Sequence, residues 1–81
     1  MPTVLTLRNI RIVIYTNDHP PAHVHALKGN EAGARFKLNC PDGPVELWDH
    51  DGFRVAELNE IGAVIAGNLS LACRKWNEIH G

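Results

Sequence analysis

Three of the five histidines of this 81-residue chain stand within seven residues, in His19-Pro20-Pro21-Ala22-His23-Val24-His25. Imidazole titrates near neutrality and is the commonest metal ligand, so two chemistries follow from this run. His23 and His25 lie two apart in what reads as a strand, which points both rings to one face. With His19 from the adjoining bend they form a candidate ligand set for a divalent metal such as zinc, with coordination positions left open. Asp18 would orient one imidazole from behind, and Cys40 could join only if its turn folds back. Without a metal, His19, His23 and His25 are candidate catalytic acid and base groups. The plainer alternative has His19 hydrogen-bonded within a Pro-bounded turn and the other two simply exposed on a strand. His50 and His80 stand alone and are assigned no role.

The elements that would position these residues alternate in character along the chain. Residues 3–7 and 10–15 read as two strands joined at Arg8-Asn9, with Ile10, Ile12 and Ile14 facing a core. Pro20 pushes His19 toward extended geometry before a third strand over residues 23–28. Its inward face is taken as Val24 and Ala26, because two buried imidazoles would need partners for their ring nitrogens. Gly29-Asn30 reads as a turn into a fourth strand, residues 31–39, where Ala32, Ala34, Phe36 and Leu38 alternate with Arg35 and Lys37. A short edge strand over residues 45–48 follows, and Asp49-His50-Asp51 is expected to end it and cap the helix start.

From Phe53 the period changes. Leu58, Ile61, Ile65, Leu69, Ala72, Trp76 and Ile79 recur at helical spacing. Gly67-Asn68 could close one helix and cap a second. The stripe keeps phase across the pair, however, and the expectation is one long helix kinked there. Trp76 belongs to the stripe and Trp48 to the sheet edge. Gly62 and Gly67 sit inside an apolar helical pattern and do not form a phosphate loop. The expected fold is α+β: an antiparallel sheet of four or five strands with the C-terminal helix packed on one face.

Composition narrows the function classes. Apolar residues are 44%, charged residues 21% and the formal charge is −1, an ordinary globular balance with no global attraction to nucleic acid or membrane. A local patch remains: with the faces as assigned, Tyr15, Arg35 and Lys37 share the uncovered side with the histidines and are candidate substrate-binding residues for RNA or DNA. Cys40 and Cys73 form no CxxC pair and read as free thiols in a reducing compartment. The N-terminal run lacks a basic start and a cleavage site, and no run is long enough to span a bilayer. A cytoplasmic protein is expected.

The segments IRIVIYTNDHPPAHVH, EAGARF and KWNEIHG resemble a small prokaryotic family, domain of unknown function 4160. Asp18, His19, His23 and His25 match its motif positions, and Tyr15 and Asn17 match its flanks. The resemblance implies one half of a two-gene cassette similar to toxin–antitoxin modules, with a small protein partner encoded by an adjacent gene. IGAVIAG, residues 61–67, is more apolar than in relatives, which would mark a partner or homo-oligomer interface. The expected function is partner binding in such a module, with the histidine-bearing face as a working surface. The alternative is a small nuclease or other hydrolase that uses the histidine cluster, with or without a divalent metal.

Overall fold

Alternating apolar residues build five strands in the computed structural model, which describes residues 3–81. They are β1 (Thr3–Leu7), β2 (Ile10–Val13), β3 (His23–Lys28), β4 (Ala32–Lys37) and β5 (Glu46–Asp51), each antiparallel to the next in the order β1-β2-β3-β4-β5. Two helices follow, α1 (Val55–Gly67) and α2 (Leu69–His80), so the α+β expectation holds. Ile10, Ile12, Ile14, Val24, Ala26, Ala34, Phe36 and Leu38 are buried in one cluster with Leu58, Ile61, Ile65, Ala72 and Trp76 of the helices. Fully burying each large aliphatic side chain stabilises by about 1.5–3 kcal/mol, so this face fixes the strand phase. Val24 and Ala26 are inward, as their period requires.

The single kinked helix is corrected to two. Asn68 leaves helical geometry at φ −127° and ψ 28°, and it serves as the C-cap of α1 and the N-cap of α2. Its side-chain amide donates to the Val64 carbonyl at 2.8 Å, satisfying an acceptor that the break leaves without an intrahelical partner. Only one residue interrupts the pattern, which is why the apolar stripe runs through it. Ile61 and Ile65 are fully buried and serve the core, whereas Ala63 and Ala66 of IGAVIAG are exposed.

The cysteines are also corrected. Cys40 and Cys73 are joined in a disulfide, with Cα atoms 5.8 Å apart and a sequence separation of 33. Cys40 lies in the turn after β4 and Cys73 on the buried side of α2, so their proximity arises from packing. Without free thiols the argument for a reducing compartment loses its premise. Among the described residues no helix is long and apolar enough to cross a membrane.

β5 runs to Asp51, so Asp49-His50-Asp51 is part of the edge strand and Arg54 is the residue that caps α1. Gly52, at φ +86°, makes the turn between them, and a Cβ there would lie 2.5 Å from the Glu31 carbonyl oxygen. Glu57 then accepts hydrogen bonds from the Arg54 backbone N–H at 3.0 Å and from Lys28 Nζ at 3.1 Å. The backbone N–H, and after it Lys28, hold the Glu57 carboxyl below the usual range. A carboxyl whose folded pKa is depressed contributes stability that is complete above its unfolded value, about 4.3, and is lost as pH falls through the folded value. Glu57→Gln is therefore expected to be less stable near neutrality and to show a flatter acid limb. Urea unfolding of both proteins from about pH 7 to about pH 3 tests this, and superimposable limbs would rule the contribution out.

Candidate functional site

The chain leaves β2 through the buried Ile14 and doubles back in a turn closed from both ends. The Asp18 backbone N–H donates to the Tyr15 carbonyl at 3.1 Å, and the Tyr15 N–H donates to Asp18 Oδ2 at 3.0 Å. This side-chain turn holds the carboxylate over the start of β3. His25 Nε2 lies 3.0 Å from Asp18 Oδ1 and 3.1 Å from Oδ2, and His23 Nε2 is 3.5 Å from Oδ1. One ligand atom from each of Asp18, His23 and His25 falls within 4.8 Å of the others, the geometry of a candidate metal centre.

Burial acts to raise the Asp18 pKa. The hydrogen bond with His25, the Tyr15 N–H and the charges of His25 and His23 outweigh it, and the net shift is downward. Asp18 is therefore a carboxylate at neutral pH.

The two imidazoles are held differently. His23 Nδ1 is 2.9 Å from the Pro21 carbonyl, which can only accept, so the hydrogen-bond network assigns a proton to that nitrogen. Nε2 is then the free nitrogen of the neutral ring, and it faces a carboxylate. A lone pair opposite an anion is favourable only when a proton or a cation sits between them. His23 is 4% exposed, enclosed by the indoles of Trp48 and Trp76 with ring centroids 5.2 and 5.3 Å away. His25 is less enclosed and packs against Tyr15 at 4.6 Å and His23 at 5.1 Å.

Of the residues singled out in the sequence, the structure brings His23, His25, Asp18 and Tyr15 together. His19 is exposed and stands outside the three-residue cluster, whose third member is Asp18. Cys40 is unavailable as a ligand because it is bonded to Cys73. Arg35 lies opposite His25 in the β3–β4 register, but its Nε donates to both oxygens of Asp49 at 2.9 and 3.1 Å. The guanidinium in turn holds the Asp49 carboxyl below its ordinary range. Lys37 lies opposite His23 and makes no ion pair among the described residues.

Three site residues escaped the sequence reading. Trp48 and Trp76 wall His23, and His80 Nε2 donates to the Tyr15 carbonyl at 3.2 Å, bracing the turn that carries Asp18. Trp76 and His80 stand four apart on a helix and so share a face, which the sequence does contain. Nothing local signals that this face meets the residue 15–18 turn.

A family model described as Domain of unknown function (DUF4160) matches residues 9–77, a span that includes Tyr15, Asp18, His23, His25, Lys37, Trp48 and Trp76. The chain belongs to this family. Neither a curated protein nor a solved structure matches it.

In this family member the carboxylate of Asp18 supports both its own turn and two imidazoles. Asp18→Ala would strip the Tyr15 N–H and His25 of their acceptor, at a cost of about 1–3 kcal/mol. Asp18→Asn keeps an oxygen for Tyr15 and is expected to lose less. Urea unfolding midpoints of the three proteins measure this ordering, and an Ala variant as stable as the parent would contradict the turn's dependence on Asp18.

Proposed function

We propose that the protein acts through a divalent-metal centre formed by Asp18, His23 and His25, as one component of a toxin–antitoxin-like pair. The carrying observation is the convergence of the three ligand atoms within 4.8 Å. The chemistry of the donor set fits: two imidazoles and a carboxylate suit zinc and related ions, and three protein ligands leave positions open. The contact of His23 Nδ1–H with a backbone carbonyl is the outer-shell bond that orients a metal-binding imidazole. A zinc-type ion supplies Lewis acidity toward a phosphoryl or carbonyl oxygen. Beside His25 an open depression of about 480 Å³, lined by Leu27, Arg35, Asp49 and Asp51 among others, leaves room for a substrate. This space favours the second reading, a small nuclease or other hydrolase working at the same centre.

Metal-free protein titrated with zinc in a calorimeter is expected to take up one ion per chain. His23→Ala and His25→Ala should each weaken uptake by more than about tenfold, and His19→Ala should leave it unchanged. Absence of uptake, or equal uptake by all four proteins, would end the metal reading.

Partner binding is supported by the family resemblance and by the exposed sheet edge. All six residues of β5 are exposed, including Leu47 and Trp48. An edge strand of this kind can accept an extended segment of another chain. The product of the adjacent gene is expected to co-elute with the wild-type protein, and Leu47→Lys to abolish the complex. Separate elution of the two wild-type proteins would count against the pair.

A further inference from the structure

We infer that the surface beside this centre takes a nucleoside phosphate, its base stacked on Trp48 and its phosphate held by Lys37 and the metal centre; the inference rests on the metal reading above. Trp48 sits on the edge strand, 38% exposed, with its ring against His23. An indole left partly in water next to a ligand cluster is a surface on which any base can stack. Lys37 Nζ lies 5.0 Å from the centroid of that ring, and Lys37 is the register partner of His23. One cation thus lies against the stacking ring on the strand next to His23, and no carboxylate among the described residues forms an ion pair with it.

The charges make the recognition metal-dependent. The Arg35 guanidinium, 4.3 Å from the same indole centroid, is paired with Asp49, and Glu46 stands opposite Lys37 in the β4–β5 register. With neutral histidines, Arg35 and Lys37 are outnumbered by Asp18, Asp49 and Glu46, so this surface has no general attraction for phosphate. A divalent ion on Asp18, His23 and His25 turns it positive, and a phosphate then meets the ion and Lys37 while the attached base reaches Trp48.

A free nucleotide and a unit of single-stranded RNA offer this same chemistry, and two arms of one experiment separate them. Zinc-loaded full-length protein is titrated with adenosine monophosphate and with a short single-stranded oligoribonucleotide, using inorganic phosphate as a reference. Both nucleotide probes should bind more tightly than phosphate, and a chelator should abolish binding. Tighter binding of the oligomer identifies the strand as the source, and equal binding identifies the free nucleotide. Trp48→Ala should weaken both nucleotide probes by about 5- to 150-fold more than it weakens inorganic phosphate, with Trp48→Phe retaining most of the binding. Lys37→Gln should weaken all three anions. A zinc-loaded protein that binds neither nucleotide probe, or a Trp48→Ala protein that binds them as the parent does, overturns this inference and leaves the metal reading standing. Failure of the parent to bind zinc overturns both.

Discussion

The Asp18 carboxylate is the group on which the site depends. It receives the Tyr15 N–H, which closes the turn after β2, it receives His25, and it stands opposite His23 Nε2. These demands differ in kind. The backbone bond fixes where the carboxylate sits, and the two imidazoles determine what charge it must balance. A single anion between two rings leaves the arrangement short of positive charge when both rings are neutral, which is why the cluster is a candidate cation site. The downward shift of the Asp18 pKa agrees with this: despite burial, the surroundings favour the charged form.

That carboxylate is held by a scaffold distant in sequence. Along α2, Cys73, Trp76 and His80 recur at spacings of three and four, so they lie along one helical face. Cys73 is bonded to Cys40 beyond the end of β4, Trp76 walls His23, and His80 reaches the Tyr15 carbonyl. One face of one helix therefore ties together the end of β4, the first ligand strand residue and the turn bearing the carboxylate. Two members of the Asp18–His23–His25 cluster lie on β3, a strand paired on both sides, and the third on a turn braced by His80 of α2. A cluster supported in this way is positioned by the fold itself.

Much of this was legible in the chain because strand period decides faces locally. The sequence His23-Val24-His25-Ala26 allows only one assignment that avoids burying two imidazoles without partners. The structure turns Val24 and Ala26 inward accordingly, but His23, expected on the uncovered side, is itself buried between Trp48 and Trp76. The five-strand sheet and the core isoleucines follow from the same alternation. What local pattern could not supply was which distant residues become neighbours. Cys40 and Cys73 read as separate thiols because nothing in their own surroundings indicates that the turn after β4 meets α2. Asp18 read as a supporting group, and His19 as a ligand, because adjacency in sequence favours the histidine while the turn geometry favours the carboxylate. Arg35 read as a free cation because its partner Asp49 lies on a strand extending three residues past its expected end. The helix break is signalled by Asn68, a residue suited to capping, but a stripe unbroken in phase conceals it.

The two histidines, equivalent in sequence, are not equivalent in the folded chain, and the difference limits what each can do. The side chain of His23 is 5% exposed, and its Nδ1 proton is committed to the Pro21 carbonyl. The ring is thereby held with Nε2 toward the Asp18 carboxylate. The side chain of His25 is 17% exposed and borders the open depression next to Arg35. Of the pair, only His25 combines contact with the carboxylate and access to a molecule arriving from outside. A molecule arriving at this cluster therefore meets His25, while His23 is the enclosed ring against which His25 packs.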